Sequence, residues 1–197
     1  MRVLIIPEDF RNDEFMLKPI IEAMFKSIGK SAKVRVCSDP RLQGVSQALK
    51  WERIEKIISR YKGMNDVILL CIDRDGQETR KAKLENIEAQ AAELLSAYNC
   101  LFLAENAWQE IEVWVLAGFD DLPKNWSWQE IRREPDPKEM YFEPYARAKG
   151  LLDGSSPGQG RKILGIEAAR NYSRIRQFCP EDIGNLEDRL KAQLVNF

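Results

Sequence analysis

Short apolar runs alternate with longer stretches of helical periodicity through the first hundred residues. That alternation is the pattern of βαβ units, in which a crossover helix returns the chain to a parallel neighbouring strand. VLII (3–6) is the first strand candidate. Phe15, Leu17, Ile20, Ile21, Met24, Phe25 and Ile28 then recur at helical spacing up to Gly29, where a helix can stop. KVRVCS (33–38) alternates like a second strand. After the turn residues Asp39, Pro40 and Gly44, a helix is marked by Leu49, Ile54, Ile57 and Ile58. VILLCI (67–72) is the most apolar run in the chain and predicts a central strand covered on both faces. A helix over about 78–97 and a short strand, CLFLA (100–104), complete the unit.

The character changes from Trp108 onward. A helix containing EIEVWVLAG is followed by loops rich in Pro and Trp, then by short helices and an amphipathic terminal helix near 181–194. GLLDGSSPGQG (150–160) has the composition of a loop. The expected organisation is an α/β core of about four mainly parallel strands over 1–104, with a helical portion, 105–197, packed against it.

Composition narrows the chemistry. The 197 residues contain no histidine, which removes Ser–His–Asp and Cys–His nucleophile systems and His-ligated zinc. Cys37, Cys71, Cys100 and Cys179 lie too far apart for a zinc or redox pair and read as reduced thiols of a cytoplasmic protein. The run after Met1 is too short for a signal-peptide core and is followed at once by Pro7, Glu8 and Asp9. The formal net charge of −1 hides a polarity: residues 99–144 carry ten acids against four bases, whereas 145–176 carry seven bases against two acids. Such a division suits an acidic metal centre beside a phosphate-binding surface, and equally a set of solvated helix faces.

In a parallel sheet, ligands gather beyond the carboxyl ends of the strands. Glu8 follows the first strand, and Asp73 and Asp75 of CIDRDG follow the strand VILLCI, so all three belong to one rim. The two aspartates fall on one side of an extended chain, and Gly76 permits a sharp turn. Two carboxylates about 5 Å apart repel by roughly 3 kcal/mol at an effective dielectric near 20, so three of them call for a proton or a hard cation such as Mg²⁺ or Mn²⁺. Helix capping by Asp73 or Asp75, and a solvated Glu8, are the competing structural roles. Glu112, set among Ile111, Val113, Trp114 and Leu116, is a further candidate, as a ligand of a second ion or a support for the first.

These residues carry a resemblance. A Glu just after strand one and a D-x-D after a later central strand resemble the Toprim domain shared by topoisomerases, primases and overcoming-lysogenization-defect nucleases. More closely, IIPEDFRNDEFML, CIDRDG and EIEVWVLAG are similar to segments of an uncharacterised bacterial family with a Toprim-related core, over roughly residues 1–120. Pro7-Glu8-Asp9 stands where Glu-Gly is usual in that family, and Asn12-Asp13 where Thr-Glu is common, which leaves Asp9, Asp13 or Glu14 as helpers of Glu8.

The resemblance implies a Mg²⁺- or Mn²⁺-dependent nuclease or nicking enzyme of a phage-defence or mobile-element system. Asp73 and Asp75 would bind the metal, and Glu8 would share it or act as general acid/base. It also implies a second possibility, a non-catalytic partner of an ATPase that recognises nucleic acid or protein. CIDRDG resembles the haloacid-dehalogenase motif as well, which would make a phosphatase, although Gln77 replaces its Thr and the motif lies on the third strand.

Lys138, Lys149, Arg161 and Lys162 are the candidate phosphate contacts. SSPGQGRK (155–162) lacks the residue order of a P-loop. Trp108, Trp114, Trp126 and Trp128 suit either base stacking or core packing.

Overall fold

The computed structural model describes residues 1–42, 44–152 and 158–196. Four strands form a single all-parallel sheet: β1 (Arg2–Pro7), β2 (Lys33–Val36), β3 (Val67–Asp73) and β4 (Leu101–Ala107). Their order is β2-β1-β3-β4, with Ile5 opposite both Val36 and Leu69, and Leu69 opposite Leu103. The β3 run is buried throughout from Val67 to Ile72, as its unbroken apolarity predicts for a strand covered on both faces.

Strand alternation divides the core into two layers. Val3, Ile5, Val67, Leu69, Cys71 and Leu103 point toward α1 (Phe10–Ser27) and the later helices. Leu4, Ile6, Ile68, Leu70, Ile72 and Phe102 point the other way, toward α2 (Val45–Ala48), α3 (Trp51–Tyr61) and α4 (Arg80–Leu95). The chain first steps from β1 to β2 on one side and later from β3 to β4 on the other. A constant crossover hand therefore places α1 and α4 on opposite faces. The resulting α/β fold is Rossmann-like, and the reversal of strand order falls between β1 and β3.

The C-terminal helices extend the α1 layer. They are α5 (Glu112–Ala117), α6 (Trp128–Arg133), a π-helical turn (Lys138–Phe142) leading into α7 (Glu143–Ala148), α8 (Gln159–Arg170), α9 (Tyr172–Phe178), and a second π turn (Pro180–Gly184) leading into α10 (Asn185–Gln193). Their buried residues, including Trp114, Phe142, Leu164, Ile175 and Leu190, share one apolar cluster with α1 and the sheet. Strand β4 runs to Ala107, past the expected end at Ala104, and carries the buried Glu105 and Asn106 within it.

One close crossing fixes the α8 layer. Pro19 lies inside α1 and has no N–H to give the Phe15 carbonyl one turn earlier. Gly165 of α8 passes over that carbonyl so closely that a Cβ there would sit 2.6 Å from the Phe15 oxygen. Among the described residues no helix is long and apolar enough to cross a membrane. Residues 153–157 of the expected loop lie outside the described residues.

Candidate metal centre

The loops that leave β1, β3 and β4 meet at one rim, beside the point where strand order reverses. Asp73 ends β3, and its Oδ1 accepts the Ile111 N–H at 2.8 Å, which turns the carboxylate toward the β4–α5 loop. Asp75 follows with φ +44° and Gly76 with φ +67°, so the chain reverses sharply before α4. Arg80, almost fully buried, reaches back from the first turn of α4 to the Asp73 carbonyl and to Oδ2 of Asp75 at 2.8 Å.

Gln109 locks the two loops together. Its carbonyl accepts the N–H groups of Arg74 (2.7 Å) and Asp75 (3.1 Å), and its side-chain Oε1 accepts that of Gly76 (2.9 Å). It does so at φ +73°, a conformation unusual for Gln that the three bonds hold in place. The next residue, Glu110, is thereby brought over the aspartates. One carboxylate oxygen from each of Asp73, Asp75 and Glu110 lies within 4.8 Å of the others.

That arrangement fits a hard cation. Ligand oxygens about 2.1 Å from an octahedral ion lie about 3 to 4.2 Å apart, so a small rotation of the exposed Asp75 and half-buried Glu110 would close the set around one ion, with water completing the shell. The acidic cluster can hold a metal ion.

The other carboxylates stand around this trio. Glu8 accepts the Val45 N–H at 2.9 Å and the Asp73 N–H at 3.2 Å, so it ties β1 to α2 and to the end of β3 and lies within a side chain's reach of Asp73. Burial raises its pKa, the Asp73 N–H opposes that shift, and the Asp75 charge adds to it. Asp13, on the first turn of α1, accepts the Asp9 N–H at 2.9 Å. Burial pushes it up to about 7, the Asp9 N–H opposing and the charges of Glu112, Asp9 and Glu8 reinforcing.

Asp73 is raised well above the usual carboxylate range by burial and then by Glu112, Asp13 and Glu8. Glu110 is raised to about 7 by burial, against the N–H of Lys138 and with the charges of Glu112 and Glu139. Four carboxyl groups of one rim therefore favour their protons. Bringing a cation or bringing protons are the two ways to relieve the same repulsion.

Of the other sequence candidates, Glu112 is buried and its Oε1 accepts from Nη1 of Arg161 at 2.5 Å, so it faces a guanidinium and stands outside the converging trio. Lys138 borders the rim through its backbone, its N–H meeting Glu110 Oε2 at 2.8 Å while its ammonium pairs with Glu139 at 3.3 Å. Lys149 pairs with Asp121, and Lys162 lines a groove with Glu14, Lys18 and Glu22 on the α1–α8 surface.

Trp114 is fully buried and donates Nε1–H to Asp182. Trp126 packs edge-on against Tyr141, and Trp128 against Phe178. Trp108 lies beneath the Arg74 guanidinium, 3.9 Å from its ring centroid.

Glu110, Gln109 and Arg80 are the members that sequence reasoning missed. Glu110 follows the true end of β4 and obeys the same strand-end rule that found Asp73. No family model, curated protein or solved structure matches this chain.

Proposed function

We propose that this chain carries out metal-dependent phosphodiester chemistry on nucleic acid, of nuclease or nicking type. The observation that carries the reading is the convergence of Asp73, Asp75 and Glu110 at the reversal of strand order, where a parallel sheet binds its ligand. The substrate class comes from the Toprim-like order of Glu8 and the D-x-D pair along the chain. With no histidine in the sequence, proton transfer falls to carboxylates, Lys or Tyr.

Asp73, Asp75 and Glu110 would hold Mg²⁺ or Mn²⁺. The ion would supply charge stabilisation to the transferring phosphoryl group and a more acidic bound water. Glu8, whose oxygens accept the Val45 and Asp73 N–H groups, would share the ion or act as general acid/base beside that set. Arg80 holds Asp75 from behind and keeps the β3–α4 turn closed.

The test is cleavage of plasmid and single-stranded DNA or RNA in Mg²⁺ or Mn²⁺, comparing wild type with Asp73→Asn and Asp75→Asn, and with a chromogenic phosphate ester in parallel. The reading expects nicking or cutting that both substitutions abolish. Equal activity in all three proteins contradicts it. Metal-independent binding without turnover would favour a non-catalytic partner, and turnover of the ester alone a phosphatase.

A further inference from the structure

Trp108 and Trp128 are partly exposed, and one groove of about 370 Å³ runs along both, with Phe178 and Pro180 completing its apolar wall. Apolar surface gathered in one groove marks a binding site more often than the same residues scattered singly. Trp128 and Phe178 meet edge-on, with ring centroids 5.4 Å apart. An edge-on contact uses at most one face of Trp128 and so leaves the other for a flat partner.

The groove adjoins the acidic rim through Trp108. That residue stands two before Glu110, at most about 7 Å along the backbone, and its ring lies under Arg74, the residue between Asp73 and Asp75. Buried Asp182 fixes this end of the groove. Its Oδ2 accepts the Trp108 N–H at 2.8 Å, the Trp114 Nε1–H at 2.7 Å and Nη1 of Arg132 at 3.2 Å.

Polar side chains with unused hydrogen-bonding capacity line the same groove. Among the described residues, the side chains of Gln129, Gln177 and Arg133 are exposed and make no hydrogen bond or ion pair. Glu181, the acid of the lining, is held by Arg132 at 2.6 Å. A side-chain amide both donates and accepts, as the edge of a nucleobase does, and a guanidinium suits a phosphate.

We propose that this groove is a stacking subsite for an unpaired nucleobase, with Trp128 and Trp108 as its platform, Gln129 and Gln177 at the base edge and Arg133 at a phosphate. The proposal rests on the reading that the chain acts on nucleic acid, and it narrows the substrate. A base can enter only if it is not paired within a duplex, so the strand is single-stranded beside the phosphate held at the rim. A proline-rich peptide also fits aromatic grooves, but the continuity of this one with the rim through Trp108 favours the base.

The experiment measures binding of the full chain to a short deoxyadenosine oligomer in chelator at low salt, by calorimetry and by quenching of tryptophan fluorescence. An oligomer of the same length built of abasic residues is the comparison. Wild type should bind the deoxyadenosine oligomer at least about fivefold more tightly, the lower end of what one stacked base contributes. Trp128→Ala and Gln129→Ala should each reduce that preference, with abasic binding unchanged, and Trp128→Phe should keep part of it.

Equal affinity of wild type for the two oligomers, or binding of neither, overturns the proposal. So does quenching by a proline-rich peptide in place of the oligomer. The wild-type comparison needs no substitution, so it decides the matter even if Trp128→Ala fails to fold. Chelation separates the outcome from that of the rim. Preference for the base without cleavage in Mn²⁺ keeps the groove and removes the chemistry, whereas Mn²⁺-dependent cleavage with equal affinity for the two oligomers keeps the chemistry and removes the groove.

Discussion

The Glu8 carboxylate accepts the backbone N–H of Asp73 at 3.2 Å, joining the loops that follow the two central strands across 65 residues of sequence. Its other oxygen holds the Val45 N–H at the start of α2. Glu8 is therefore part of the scaffold that aims the aspartates as well as part of the acidic rim.

Replacing Glu8 with Ala leaves two partly buried N–H groups without their acceptor and should lower stability by about 1–3 kcal/mol. Glu8→Gln, which keeps one acceptor oxygen, should lose less. Urea denaturation of the two variants measures the difference, and equal stability of Glu8→Ala and wild type would show that these bonds do not organise the rim.

Stability should depend on pH with an unusual sign. The folded pKa values of Asp13 and Glu110 are raised to about 7, and that of Asp73 well above the usual range, whereas unfolded carboxyl groups titrate near 4. The folded state thus binds protons more tightly. The stability contributed by Asp13 and Glu110 is complete below about pH 4 and is lost as pH rises through about 7, and Asp73 acts in the same direction. Buried Glu105, also raised to about 7, acts in the same direction. Thermal unfolding in a chelator should show a lower Tm at pH 8 than at pH 5.5, and added Mn²⁺ should raise Tm more at pH 8.

Asp73→Asn separates the charge of Asp73 from its shape. The Asn side-chain oxygen still accepts the Ile111 N–H, but the repulsion from Glu112, Asp13 and Glu8 disappears. Without metal, the stability of the variant relative to wild type should therefore rise with pH, because the variant lacks the group whose raised pKa costs the wild type stability as pH increases. Its Mn²⁺ affinity should fall at least tenfold. Calorimetry and chemical denaturation on the same sample check both.

Gly165→Ala tests the crossing that seats α8 and, through it, Arg161. The added methyl would lie 2.6 Å from the Phe15 oxygen and 3.0 Å from the Met16 Cα, both backbone atoms that cannot swing aside. A loss of about 1–3 kcal/mol is expected from such overpacking. Gly63→Ala, where a Cβ meets nothing within 4 Å, is the control.

Much of the sheet was legible because apolar runs bounded by turns specify strands whatever the rest of the chain does. VILLCI is the clearest case, its burial on both faces written into six consecutive apolar residues. The end of β4 was not legible. Glu105 and Asn106 break the apolar run, yet both are buried there, Glu105 taking hydrogen bonds from Asn106 and Asn185 and lying near Arg189.

Placing that strand end at Ala104 hid Glu110, which became visible as a rim residue only once β4 reached Ala107. Gln109 was beyond sequence reasoning for another reason. Its left-handed backbone is imposed by three long-range hydrogen bonds and has no local composition signal. Glu112 drew attention because it interrupts an apolar run, and the structure explains that burial by Arg161, 49 residues away.

The central claim concerns three oxygens and one ion, and anomalous diffraction from crystals grown at pH 8 with Mn²⁺ tests it most directly. The account predicts one peak per chain, bonded to carboxylate oxygens of Asp73, Asp75 and Glu110, with Arg161 still on Glu112. A map without a peak at that rim, or with Mn²⁺ bound only elsewhere, would contradict it.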